Sequence, residues 1–494
     1  MVEKIIVRVL ESLMGLIYQM NNQDSETVDH GTLLGSASHP YHPNRVGSVY
    51  IDDKQRLRHL YILGATGSGK TKVIESLIRQ DILSMNGFCL IDPHGDLTQN
   101  ILKFLGSLST AADSPISLQE IGEKLILVEP FNQEVAAGFN PLEASEANQY
   151  RLVMELMGIF KRLWHDAHWG PRMDELLRNT FLTLASNNLT LLEAKKVLTD
   201  KFYRQGLMEN LNLPEVKDYW LSRYDSLSEK MKAVYREPIL NRLSIFTTDS
   251  HIRSIIGQTK STFNFRKAMD QRKWLLLNLG KGYLKENTYL LGALFIAKLQ
   301  NAAMSRVDIP EHQRKPFYMY VDEFQNFIGE DFKTVLSEAR KYGLSLTLAH
   351  QHLDQLDADL RSAILGNAGT QIIFRLSHRD ASSLSPELSQ KERIPIERRL
   401  IDLKMGQAYL KRKGERPTVL KTAYVPNTNS DDHSIERIKQ ASFSNYARLR
   451  AEVERDIKKR SEKTFDSMAS SVETENLNSK LAPKRDFEEG LDGW

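Results

Sequence analysis

The chain has 494 residues, 41% hydrophobic and 26% charged, with a formal net charge of only +3 and a single cysteine, Cys89. That is the balance of a soluble globular protein with chain enough for about two to four domains at roughly 100–200 residues each. It excludes a polycation, so nucleic-acid contact must come from a local basic surface or an assembled pore, and one cysteine excludes an internal disulfide framework.

Residues 5–20 form the most apolar stretch, but it carries Arg8 and Glu11 and falls short of the ~20 apolar residues that crossing a bilayer needs. No small-residue cleavage site follows it. It reads as an amphipathic helix docked on the protein or a partner. Membrane-surface binding is the lesser reading, because a polar face rich in Lys and Arg is missing. No integral membrane segment is expected, and the expected location is cytoplasmic, free or peripheral to a membrane complex. Residues 1–59 read as an N-terminal arm whose middle, 21–44, is polar and rich in turn residues and reads as loop.

From 60 to 144 the pattern is α/β, with short apolar runs at 60–63, 88–91 and 125–127 that suit buried parallel strands. Residues 145–270 change character. Apolar positions recur at helical spacing through 150–164, 173–184 and 216–246, punctuated by Pro141, Pro171, Pro214 and Pro238, which predicts an all-helical insertion. The α/β pattern resumes over 271–428, with strands at 274–279, 317–321, 344–349 and 371–376 and helices at 289–304 and 332–342. Runs at 407–411 and 419–424 flank the turn Lys413-Gly414-Glu415 and predict a hairpin. Within 429–494, residues 434–468 predict one long charged helix, and the last ~25 residues lack an apolar period and read as disordered.

Residues 64–71 read GATGSGKT, the G-x-x-x-x-G-K-[ST] pattern, between an apolar strand and a helix. Gly64, Gly67 and Gly69 permit the tight turns that aim N–H groups from Ala65, Thr66, Ser68 and their neighbours at phosphate oxygens. Lys70 adds charge at the β and γ phosphates, Thr71 offers a hydroxyl to Mg2+, and the following helix points its positive end at the anion. The expected fold class is therefore a RecA-like P-loop domain with a mainly parallel sheet, interrupted by the helical insertion. ATP and Mg2+ are its expected ligands.

Hydrolysis also needs a metal clamp and a group that orients water. The run 317–321 delivers Asp322 and Glu323 at the end of a buried strand, where ligands sit in open α/β sheets. Asp322 is the expected Mg2+ partner and Glu323 the group that polarises water. The bland alternative is a pair of acids at a helix start. Gln351 reads either as a γ-phosphate sensor or as a surface amide. Arg375, between apolar neighbours, reads either as a structural ion pair or as an arginine finger on a neighbouring subunit's ATP, with Arg340 the second choice. Asp92 and His94 either approach the nucleotide or belong to a plain turn. The histidines lack paired Cys/His spacing, so zinc is not expected.

The segments IDPHGDL (91–97), GFNP (138–141), WGPRMDELLRN (169–179), YVDEFQNF (320–327), LSEARKYGLSLTLAHQHLDQL (336–356) and GNAGTQIIFRL (366–376) resemble the HerA/FtsK superfamily. Within it they are most similar to the TraG/TraD-like coupling ATPases of type IV secretion. The resemblance covers about residues 60–425 and implies a hexameric ring that moves DNA through a central channel. ATP would lie between subunits, with Lys70, Thr71, Asp322 and Glu323 from one protomer and an arginine from the next. Gln351 matches the family's polar sensor, and the insertion is similar to the coupling proteins' all-α domain, used near DNA or the substrate complex. The N-terminal transmembrane helices of membrane coupling proteins, the β-barrel of HerA and the winged helix of FtsK are not evident. The implied role thus stays open between conjugation, DNA processing and anti-phage defence, with a nuclease, relaxase or secretion component as partner. Independently of the resemblance, Lys411, Arg412 and Lys413 on the hairpin, and Lys281 after a strand, are candidate DNA-phosphate contacts or solvated charges. The alternative to a DNA motor is a regulatory or scaffold ATPase whose ring assembles a partner effector such as a nuclease.

Overall fold

The structure is a computed structural model that describes residues 31–39, 42–111, 114–163, 170–209, 211–280, 282, 287–327, 332–388, 393–415 and 417–462. The expected helix at 5–20, Lys281 and the expected disordered tail lie outside these residues. Among the described residues thirteen strands form: β1 (Thr32–His39), β2 (His42–Ile51), β3 (Leu60–Leu63), β4 (Gly87–Asp92), β5 (Leu125–Val128), β6 (Val135–Ala136), β7 (Trp274–Asn278), β8 (Phe317–Val321), β9 (Leu344–His350), β10 (Thr370–Ile373), β11 (Gln407–Arg412), β12 (Thr418–Thr422) and β13 (Arg448–Leu449). Eleven of them build one sheet in the order β2-β1-β12-β11-β10-β3-β9-β8-β4-β7-β5.

From β10 to β5 the neighbours pair in parallel. Helices cover both faces, so β3, β4, β5, β7, β8 and β9 are buried along their whole length and read as unbroken apolar runs. The two-residue period sends alternate side chains to opposite cores. Leu60 and Ile62 join Phe88, Leu90, Tyr318 and Tyr320 on one face. Tyr61 and Leu63 join Cys89, Ile91, Met319 and Val321 on the other. That second core continues without a break into the helices between β6 and β7, where Leu177, Phe181, Trp220 and Leu243 are buried. At roughly 1.5–3 kcal/mol per fully buried large apolar side chain, this shared core fastens the helical segment to the sheet.

A buried polar knot lies beneath the P-loop helix. Arg56 grips Asp81 through two bonds of 2.7 and 2.8 Å. The Tyr320 hydroxyl donates to the same carboxylate at 2.5 Å, and the guanidinium stacks 3.4 Å from the Tyr318 ring centroid. The knot ties the segment before β3 to the helix Lys70–Leu83 and to β8. Among the described residues, no helix is long and apolar enough to cross a membrane.

Two expectations are corrected. The arm is not loop through residue 44, because β1 and β2 extend the sheet, β1 antiparallel to β12. Their polar composition fits the sheet's outer edge, where one face needs no apolar cover. The periodic stretch 216–246 is helical, in three pieces: Pro214–Asp218, a π-helix at Tyr219–Tyr224 and Glu229–Thr248. Ser228, extended at ψ 151°, starts the last of these by accepting from the Met231 N–H. The charged C-terminal helix ends at Tyr446, since Ala447 is extended and Arg448 and Leu449 pair with Ala136 and Val135. Residues 450–462 are helical again, held by Arg253–Glu454 and Arg460–Glu193 ion pairs.

Candidate active site

The phosphate loop leaves β3 at Leu63 and delivers Lys70 as the first residue of the helix Lys70–Leu83. Gly67 and Gly69 take φ of +73° and +120°, which L side chains rarely adopt. A Cβ on Gly64 would stand 2.5 Å from the Phe374 Cβ, so the loop packs against the end of β10. The N–H groups of Thr66, Gly67 and Gly69 have no acceptor among the described residues. The buried Ser68 hydroxyl is likewise without a partner. The Lys70 ammonium folds back on the loop, donating to Gly64 O at 2.5 Å and Ala65 O at 3.2 Å. Burial lowers its pKa, and the negative charges of Asp322 and Glu323 pull it back up.

The acid pair follows β8 at the same edge of the sheet. Glu323 is left-handed, at φ +47° and ψ 45°, a backbone state that costs about 1–3 kcal/mol for a non-glycine residue and concentrates at functional sites. Its N–H donates to Asp322 Oδ1 at 3.0 Å. Burial, then the negative charge of Asp92 and that of Glu323, push the Asp322 carboxyl up to about 6, against the Glu323 N–H and the Lys70 charge.

The sheet order explains how these parts meet. β9 lies between β3 and β8, with Leu63 level with His350 and Val321 level with Leu348. Gln351, one residue past β9, therefore stands between the phosphate loop and the acids. Its Oε1 accepts from the Thr66 hydroxyl at 2.9 Å, and its Nε2 donates to Glu323 Oε1 at 3.1 Å. His350 beneath it is buried, 2.5 Å from the Tyr61 hydroxyl, and its ring packs on Phe324 with centroids 4.9 Å apart. Burial pushes it down to about 3, so it is neutral.

β4 is the other neighbour of β8, and its loop reaches the same acid. His94 Nε2 lies 3.1 Å from Glu323 Oε1. Asp92 instead serves its own turn, accepting from Gly95 N at 2.9 Å and from Thr98 N and Oγ1 at 2.7 and 2.9 Å.

The remaining candidates lie elsewhere. Arg375 is beyond the end of β10 rather than inside a strand. Its carbonyl accepts from Ala65 N at 3.0 Å, and its side chain is exposed with no ion pair among the described residues. The buried ion-pair reading is thereby removed, and the residue starts beside its own chain's phosphate loop. Arg340 is exposed on the turn Ala339–Tyr342 that enters β9, at the opposite edge of the sheet. On the hairpin, Lys411 donates to Glu387 O at 2.6 Å and Arg412 pairs with Glu415 at 2.8 Å, which leaves Lys413, among the described residues, as the exposed cation at the tip.

A family model described as the central domain of the helicase HerA matches residues 31–281, and one described as the TraM recognition site of TraD and TraG matches residues 316–395. The chain is 21% identical over 379 residues to the type 4 coupling protein DotL of Legionella pneumophila subsp. pneumophila. That match covers 66% of this chain and 48% of the relative, so the chain spans about half the length of the curated relative. Among solved structures, the unbound bacterial conjugative coupling protein TrwBdeltaN70 superposes with a TM-score of 0.53 at 15% identity, covering 78% of this chain and 88% of that one. TrwB in complex with ADP and Mg2+ gives 0.53 at 15%, over 77% and 90%. VirB4 of Thermoanaerobacter pseudethanolicus gives 0.55 at 12%, over 82% and 99%. At these identities the structural likeness shows a common fold.

Proposed function

The chain belongs to the family of the HerA helicase central domain, as a P-loop ATPase of the TraG/TraD-like coupling type, and from that premise we propose that it hydrolyses ATP to drive DNA through a ring of its own copies. The observation that carries the ATPase part is the Thr66–Gln351–Glu323 chain of hydrogen bonds. It joins the phosphate loop to an acid more than 250 positions away, so one nucleotide can meet both.

In this reading the loop N–H groups and Lys70 hold the triphosphate, and Lys70 exchanges the Gly64 and Ala65 carbonyls for phosphate oxygens. Thr71 and Asp322 suit Mg2+, since a carboxyl pushed up to about 6 lacks the positive charge that a divalent ion brings. Bound Mg2+ would neutralise charge on the phosphates. Glu323 holds the attacking water and takes up its proton, in a site whose hydrogen bonds are already formed. Gln351 reports the γ-phosphate, because its amide must choose between Thr66, Glu323 and the new oxygen.

The DNA part rests on kinship. DotL is named a coupling protein and TrwB a conjugative coupling protein. It extends to a hexameric assembly beside a membrane secretion complex on the cytoplasmic side, with a relaxase, nuclease or secretion component as partner. Lys413, at the hairpin tip, is the cation freest to meet DNA phosphates, and Lys281 stays a candidate by sequence alone. Either Arg375 or Arg340 would complete a neighbour's site.

The test is ATPase activity with and without duplex and single-stranded DNA, together with displacement of a protein roadblock from DNA. A motor shows several-fold stimulation, lost as salt rises, and roadblock displacement. Turnover indifferent to DNA, with a stable co-complex holding a partner protein, would replace the motor by the scaffold reading.

A further inference from the structure

We propose that His94 is a positioning residue for hydrolysis: it holds one carboxylate oxygen of Glu323 so that the other is presented to water. The inference rests on the ATPase reading above and adds to it a residue that neither the phosphate loop nor the acid pair requires.

Three observations meet at this side chain. First, its loop is rigid. Asp92 is only 3% exposed, and its carboxylate takes bonds from His94 N at 3.2 Å, Gly95 N at 2.9 Å and both Thr98 donors, so the backbone of residues 92–98 is fixed from within. Second, register puts this loop beside the acid, since Ile91 pairs with Val321 and both strands end within one residue of that level. Third, His94 and Gln351 address the same atom. Each places a nitrogen 3.1 Å from Glu323 Oε1, whereas among the described residues Oε2 has only the Asn326 amide at 3.5 Å. Gln351 holds Oε1 by a hydrogen bond and His94 stands at ion-pair distance from the same atom, so Oε2 is the freer oxygen to accept a proton.

The His94 contact supplies something that Gln351 alone cannot. Gln351 also bonds Thr66 of the phosphate loop, so a γ-phosphate that draws its amide away loosens its hold on the glutamate. His94 comes from a different strand and has no bond to the phosphate loop among the described residues. It keeps the carboxylate oriented at the moment when Gln351 turns to the phosphate. Glu323 needs such support, because it joins the end of β8 to the 3-10 turn Phe324–Asn326 in a left-handed backbone state that belongs to neither.

The experiment compares His94→Ala, His94→Gln, Glu323→Gln and the double variant His94→Ala/Glu323→Gln in steady-state ATPase assays, with nucleotide affinity read separately by a fluorescent ATP analogue. His94→Ala is expected to lower kcat by about tenfold or more, as misplacement of a reacting group does, with KM and analogue affinity within about twofold of wild type. His94→Gln, whose amide can donate to the same oxygen, restores most of the rate. In the Glu323→Gln background, His94→Ala has no further effect, since its object is gone. A wild-type kcat in His94→Ala, or a further tenfold loss in the double variant, overturns the proposal while leaving the ATPase reading intact. Full turnover in Glu323→Gln alone would instead overturn the ATPase reading beneath it.

Discussion

Replacing Asp322 with asparagine sets stability against activity at one atom. A carboxyl raised from its ordinary 3.8 to about 6 costs the folded, nucleotide-free protein about 3 kcal/mol when charged. An acid raised on folding imposes that cost fully above its folded value and not at all below its ordinary one. The penalty is therefore complete at pH 7.5, falls to about half by pH 5 and vanishes below about 3.8. The asparagine keeps an oxygen for the Glu323 N–H, now 3.0 Å away, and removes the charge. Lys70 loses an attraction in exchange, which sets the lower end of the expected gain. Denaturant unfolding without Mg2+ or nucleotide should find Asp322→Asn more stable by about 1–3 kcal/mol at pH 7.5, with the advantage roughly halved at pH 5. Adding Mg2+ and an ATP analogue should stabilise wild type more than the variant, and ATPase activity should collapse. A variant no more stable than wild type at pH 7.5, or one whose advantage grows as pH falls, would refute the electrostatic reasoning.

Other outcomes follow from the same geometry. Lys70→Ala should abolish detectable ATP binding, measured by analogue fluorescence, since the loop loses its only buried ammonium. Arg375→Ala and Arg340→Ala should each be tested in mixtures with Lys70→Ala protein. An arginine acting in trans regains activity in mixed assemblies, whereas one serving its own nucleotide, as the position of Arg375 beside its own loop allows, stays inactive at every ratio. Asp81→Ala leaves Arg56 buried and unpaired, and should cost about 3–5 kcal/mol of unfolding free energy, with the loss read from the denaturation midpoint.

Much of this architecture is legible in the residues because the signals are local. Parallel strands buried on both faces are apolar throughout, which is why 60–63, 88–91, 317–321 and 344–349 stand out. GATGSGKT carries its own turn chemistry, and an acid pair at the end of an apolar strand reads as a ligand edge. What was not legible depends on pairing over long distances. β1 is a strand because β12 lies beside it, and its own polar residues give no alternation to find. The C-terminal helix breaks at Ala447 because residues 448–449 find β6 some 310 positions earlier. The Arg56–Asp81–Tyr320 knot joins three residues with nothing in common along the chain. His94 was visible as part of a turn, but its contact with Glu323 comes from β4 and β8 being neighbours, which no motif encodes. Arg375 is exposed because its strand stops two residues earlier, at Ile373.

The central claim is that the glycine-rich loop and the acid pair act on one ATP molecule. The most direct measurement is the nucleotide retained by Glu323→Gln protein after incubation with ATP and Mg2+, beside its turnover rate. The account predicts intact ATP on the protein and turnover reduced by roughly 10²-fold or more, as for loss of a proton-accepting group. Wild-type turnover, or an empty site in a folded protein, would contradict it.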